Sequence, residues 1–301
     1  MAFQKVAVFG LGSMGIGMAR SIVRAGHSVW GFDIRENITQ EFAKETGHTQ
    51  SFDQIAGEID VAVIVVLNAA QAADILFGET GIVRQMKPGA VIINCVTVSP
   101  EDARLAASRC AETGLEYLDA PISGGAIKAG EGALSIMASG TPQAFDKSRL
   151  CLDAMAETVF ELGDSAGQGS LMKSVNQLLA GVHIATMAEA LSFGMKQGLE
   201  AETFLQVIQK CAGTSWMLEN RTPHIIDGDY TPKSAVNIWL KDLGIVLDAA
   251  ADVKFDAPIT MAALEQYKAT ADMGLGGEDD AAVIKLYAAQ NDITLPQHTK
   301  S

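Results

Sequence analysis

The stretch Gly10-Leu11-Gly12-Ser13-Met14-Gly15 constrains the fold of this chain more than any other. It directly follows the short apolar run KVAVF and leads straight into residues 14–25, whose apolar spacing predicts a helix. In that setting the three glycines have separate tasks. Gly10 permits the tight bend, Gly12 lets an anion reach the backbone, and Gly15 lets the helix pack closely on the strand. The helix N-terminus then turns its free N–H groups toward the anion. Strand, loop and helix in that order predict a dinucleotide-binding turn, with Gly10, Leu11, Gly12, Ser13, Met14 and Gly15 lining the cofactor.

The second strand, SVWGFD, ends on Asp33, 18 positions after Gly15. A carboxylate there accepts hydrogen bonds from the adenosine ribose hydroxyls and repels a 2′-phosphate, so the expected cofactor is NAD. Arg35, two residues on, leaves open whether a guanidinium admits NADP as well or only stacks on the adenine.

Around the glycine loop, from Lys5 to about Gly163, the candidate strands KVAVFG, SVWGFD, VAVIVV, AVIINC, LEYLDA, ALSIMA and TVFEL alternate with helical patterns such as 100–113. Runs such as VAVIVV lack polar alternation, as expected of parallel strands buried on both faces. Beyond the small-residue stretch GDSAGQGS the apolar spacing is helical. Residues 169–197 contain no proline and predict one long helix, with further helices at 201–212, 235–253, 258–273 and 279–289. The expected architecture is an α/β Rossmann-type N-terminal domain, residues 1–164, followed by an all-α C-terminal domain, residues 165–301, with a long interdomain helix.

Charge narrows the partners: 22 Lys and Arg against 36 Asp and Glu give a net charge of −14, which repels nucleic acid and anionic membrane surfaces. Four cysteines without a CxxC pair and five histidines away from ligand spacing predict neither a disulfide framework nor a metal site. The first apolar stretch runs into the glycine loop without a cleavage pattern, and no apolar run approaches the roughly 18 residues of a membrane span. A cytoplasmic location is the expectation. The long apolar helix and the small second domain predict a homodimer or homotetramer.

Two further clusters are candidates for chemistry. Ser123-Gly124-Gly125, after LEYLDAPI, is either an ordinary turn or a set of backbone N–H groups beside a hydroxyl that holds a carboxylate. Lys173 and Asn176 stand three apart on the long helix and so share a face, pointing either at one ligand or at solvent.

Taken together, GLGSMGIGM, DAPISGGAIKAGEG, GQGSLMKSVNQ and LKDLGIVLDAA resemble the β-hydroxyacid dehydrogenase family, which includes 3-hydroxyisobutyrate dehydrogenase and tartronate semialdehyde reductase. The resemblance runs from Val6 to about Ala289. It implies an NAD-dependent enzyme that oxidises a small hydroxy acid at its CH–OH group, with the nicotinamide facing the domain boundary. It also implies roles: Lys173 as catalytic acid/base, Asn176 orienting the substrate, Ser123, Gly124 and Gly125 binding it, Thr97 beside the nicotinamide, and Lys241 closing over the cofactor with Asp242 behind it. The stretches NQLLAGVHIATMAEA and SWMLENRTPHIIDGDYTPKSAVNIWLKDLG resemble a member that acts on a four-carbon sugar acid, with Trp216, Asn220, His183 and Asn237 as possible readers of extra hydroxyls. A tryptophan at a helix contact is usually a core residue, however, and a histidine on an apolar helix is usually a satisfied buried group, which is the reading to expect of Trp216 and His183. A cofactor-binding scaffold without catalysis is the alternative from a different class, disfavoured by the presence of both Lys173 and Asn176.

Overall fold

In the computed structural model, residues 3–297 are described; the outermost ends of the two expected domains, 1–2 and 298–301, lie outside the described residues. The strands are β1 (Lys5–Phe9), β2 (Ser28–Phe32), β3 (Val61–Ile64), β4 (Val91–Asn94), β5 (Glu116–Asp119), β6 (Ile122–Ser123), β7 (Leu134–Gly140) and β8 (Ala156–Glu161). Between them run α1 (Gly15–Arg24), α2 (Glu36–Thr46), α3 (Phe52–Ile55), α4 (Ala69–Phe77), α5 (Pro100–Ala111), α6 (Gly125–Glu131) and α7 (Pro142–Met155). The sheet order is β2-β1-β3-β4-β5-β7-β6, and β8 pairs with β7. Strands β2, β1, β3, β4 and β5 are mutually parallel. β7 departs from the expected parallel pattern, running antiparallel to both β5 and β6.

The β-rich runs owe their continuous apolar character to two cores. Val6 and Val8 of β1 join Val63, Ile93, Met18, Ile22 and Phe145 on one face of the sheet. Ala7 and Phe9 join Ala62, Ile64, Ile92, Leu76 and Cys110 on the other. Because successive side chains point to opposite faces, a strand covered on both must be apolar at every position. The chain leaves β1 with β2 on one side and β3 on the other, so the glycine loop sits where the strand order reverses, the usual place for a ligand in such sheets.

The remaining helices are α8 (Gln168–Lys196), α9 (Ala201–Ile208), α10 (Trp216–Ile226), α11 (Val236–Asp252), α12 (Pro258–Thr270) and α13 (Val283–Asn291). The chain divides into two compact units, Met1–Lys173 and Ser174–Ser301. That division falls inside α8, nine residues beyond the expected 164/165 boundary, because the first turns of α8 hydrogen-bond into the sheet domain. α8 is long and apolar enough to cross a membrane by length and composition alone, contrary to the expectation from the sequence. Its Ile184, Ala188 and Leu191 are instead buried with Trp239, Leu243 and Tyr267.

The helical unit is tied by buried polar contacts. Tyr267 donates to the Gly181 carbonyl at 2.7 Å, and Trp239 Nε1 donates to Asp280 at 2.9 Å. Arg221 pairs with Asp280, and His224 Nδ1 lies 2.9 Å from Asp279. Each buried carboxylate thus has donors, as burial of a charge requires.

Candidate active site

At the carboxyl end of β1, Gly10 has φ +94°, and a Cβ there would lie 2.1 Å from the Val65 carbonyl oxygen. A Cβ on Gly15 would strike the Gly10 carbonyl oxygen at 1.8 Å, whereas one on Gly12 would meet open space. Two glycines are therefore fixed by crowding and the third by what must approach it. That open side belongs to a cavity of about 610 Å³ lined by Gly10, Gly12, Ser13, Met14, Asp33 and Arg35, and by Leu67 and Asp74 from the opposite wall. No side chain caps the N-terminus of α1, which leaves its N–H groups to an anion. Leu11 contributes backbone only: its side chain is in the core, and its N–H donates to Asp33 at 2.9 Å.

Asp33 is almost covered, its side chain 7% exposed. Oδ1 accepts the Arg35 N–H and Nε, at 2.9 and 2.8 Å, and Oδ2 accepts Arg35 Nη2 at 3.0 Å beside the Leu11 N–H. The Arg35 guanidinium holds the Asp33 carboxyl down to about 2. A dinucleotide fits these residues: open space over Gly12 for a pyrophosphate, and an ionised carboxylate at the cavity wall for hydroxyl donors. Leu67 and Asp74 went unremarked in the sequence. Asn68, whose side chain caps α4 by accepting the Gln71 N–H at 2.9 Å, was the available signal for that wall.

The second cluster forms around the end of β5. β6 ends at Ser123, and Gly124 and Gly125 follow with φ +133° and +77°, turning the chain into α6. Lys173 is nearly buried, 8% exposed, and its Nζ donates to the Ile122 carbonyl at 2.8 Å, so the ammonium sits next to the Ser123 backbone. Thr97 is half-buried in the loop after β4, two residues before Ser99, the cap of α5.

The same cluster contains a residue to which the sequence assigned no role. Asp119, fully buried at the end of β5, accepts the N–H groups of Gly167 and Ser170 at 2.9 and 2.8 Å and the hydroxyls of Ser170 and Ser139 at 2.7 and 3.2 Å. Burial pushes its carboxyl above the ordinary carboxylate range, against the pull of those donors.

A third cluster lies in the helical unit. Asn176 Nδ2 donates to Gln177 Oε1 at 2.9 Å, and Gln177 Nε2 donates to Asp242 Oδ2 at 2.5 Å. Lys241 Nζ donates to Asp242 Oδ1 at 2.5 Å. Buried Asp242, 3% exposed, therefore joins Asn176 to Lys241 through Gln177, a residue the sequence analysis passed over. Of the further candidates, Trp216 is largely exposed and not a core residue, Asn220 accepts from Arg221, and Asn237 stands against Gly276. His183 is half-buried on α8.

Comparison with known proteins bears on the chemistry. Residues 5–163 match the model of the NAD-binding domain of 6-phosphogluconate dehydrogenase, and residues 167–287 that of the NAD-binding region of NADP-dependent 3-hydroxyisobutyrate dehydrogenase. The L-threonate dehydrogenase of Escherichia coli K12 is 44% identical over 97% of this chain and 96% of its own. This chain belongs to the β-hydroxyacid dehydrogenase family. The corresponding enzyme of Cupriavidus necator is 45% identical over 94% of the chain and 96% of its own length. A crystal structure of a 3-hydroxyisobutyrate dehydrogenase from Salmonella typhimurium superposes with a TM-score of 0.88 at 43% identity, covering 94% of this chain and 99% of that one. The protein is an NAD-dependent oxidoreductase acting on the CH–OH group of a small hydroxy acid.

Proposed function

We propose that the substrate of this β-hydroxyacid dehydrogenase is L-threonate, oxidised at C2 to the 2-oxo acid. The observation that carries the choice is the identity of 42% to 45% with several L-threonate dehydrogenases over nearly the whole chain. The similarity to a 3-hydroxyisobutyrate dehydrogenase structure at 43% identity favours the second reading, a branched four-carbon hydroxy acid.

In this mechanism the loop Gly10 to Gly15 would hold the pyrophosphate of NAD and Asp33 the adenosine ribose, and Thr97 and Lys241 are the residues proposed for the nicotinamide half. Bound NAD supplies the hydride acceptor. Ser123 and the backbone at Gly124 and Gly125 hold the substrate carboxylate, and Lys173, as the neutral amine, takes the hydroxyl proton as the carbonyl forms. The contact between Lys173 and the Ile122 carbonyl supports this pairing, since it sets the nitrogen beside the serine that would hold the substrate. Asn176 orients the same hydroxyl. One Nδ2 proton goes to Gln177 Oε1, and the other is placed to donate to the hydroxyl oxygen, whose own proton goes to Lys173.

The two domains proposed for this work are an N-terminal cofactor domain and a C-terminal helical domain that also carries self-association. A cytoplasmic setting accords with four free thiols, three of them buried. The deciding assay offers C3 to C5 hydroxy acids with NAD and follows absorbance at 340 nm. L-threonate should give the highest kcat/KM by at least about tenfold; higher efficiency with 3-hydroxyisobutyrate or L-serine would transfer the assignment to that acid.

A further inference from the structure

Lys173 needs its nitrogen held to within a fraction of an ångström, yet it sits on a flexible four-carbon stem near the start of a 29-residue helix. What fixes the start of that helix also fixes the lysine. The first N–H groups of any helix lack partners within it, and at the first turn of α8 they are met by the sheet. Asp119 accepts from Gly167 and Ser170, and Ser139 Oγ accepts the Gly169 N–H at 2.9 Å. A negative charge at this end is also favoured by the helix dipole. Approach is close enough to exclude any side chain at 169: a Cβ there would lie 2.4 Å from the Met137 carbonyl oxygen and 2.7 Å from that of Asp119. Three residues after Asp119 the same segment supplies the Ile122 carbonyl that receives the lysine.

We propose that Asp119 is a positioning residue for Lys173: by capping α8 from β5, it sets the rotation and depth of the helix so that the ammonium reaches Ile122 and the adjoining Ser123. The proposal rests on Lys173 carrying the proton. Asp119 touches neither substrate nor cofactor in this arrangement and acts only through the lysine. Its acceptor-only carboxylate matters, because four donors converge on it; an amide of the same shape would turn N–H against N–H. A proton taken up as pH falls has the same effect, replacing an acceptor by a donor.

The test is a double-mutant cycle of Asp119→Asn and Lys173→Ala, with kcat measured on the fastest hydroxy acid and NADH binding followed by fluorescence. Asp119→Asn should lose about 10²-fold in kcat, as expected for a reacting group displaced by about 1 Å. NADH affinity should stay within about threefold, because the Gly10 loop and Asp33 are untouched. The double variant should be no slower than Lys173→Ala alone, the mark of one residue acting through the other. Losses that multiply, or normal turnover in Asp119→Asn beside an inactive Lys173→Ala, would overturn the positioning role alone. Normal turnover in Lys173→Ala would remove the lysine's assignment and the positioning role with it. If Asp119→Asn does not bind NADH, Ser170→Ala takes its place in the cycle. Deleting one hydroxyl from Oδ1 should then cost up to about tenfold in kcat, and a normal rate would contradict the proposal.

Discussion

Asp33 already holds four hydrogen bonds, three from Arg35 and one from Leu11. A ribose diol reaching the carboxylate must displace the guanidinium, and a 2′-phosphate would meet the carboxylate's charge. We therefore expect NAD to exceed NADP in kcat/KM by at least about tenfold, or about 1.4 kcal/mol. Asp33→Ser should narrow the gap mainly by improving NADP, since Arg35 is then released to the phosphate; equal efficiency with both cofactors in the parent enzyme would contradict this. The contribution of Asp33 to NADH affinity should also be flat from pH 5 to 9. With its pKa depressed to about 2, Asp33 stays ionised across that range, and its contribution, present above the ordinary carboxylate value, is lost only as pH falls through about 2. NADH titration across pH checks the point.

Among the elements, those built on local pattern were legible and those set by distant partners were not. β1, β3 and β4 follow from apolar runs without polar alternation, and α8 from a proline-free helical spacing, within a residue at each end. The direction of β7 was hidden, because LSIMASG, buried at nearly every position, has the same pattern in either orientation. α10 was missed because Pro223 lies inside it, a residue that usually ends a helix. Its start was signalled by Ser215, whose hydroxyl accepts the Leu218 N–H at 3.1 Å. α12 ends at Thr270, short of the expected 273, where the chain heads for a left-handed turn at Gly274. In the site, the glycine loop, Asp33 and Lys173 announced themselves through motif and spacing. Asp119, Ser139 and Gln177 did not, since their partners are 20 to 65 residues away in the chain.

At the scale of the whole molecule, self-association is expected through the helical unit, where Leu179, Phe193, Phe255 and Ile259 are exposed. Apolar side chains in that number on a small unit suit an interface of more than about 1,000 Å². Light scattering at micromolar concentration should return a dimer or tetramer, and a monomer would contradict it. The central claim is that one lysine carries the proton, and Lys173→Ala tests it most directly. In oxidation the lysine takes up the hydroxyl proton, so only its neutral amine is competent. Oxidation by the parent enzyme should thus rise with pH along an acid arm. Lys173→Ala should lose about 10² to 10⁴ in kcat and that arm with it, with NADH affinity within a few-fold, and Lys173→Arg should not restore it. Near-normal turnover in the alanine variant, with the same pH profile, would mean that the proton leaves by another route.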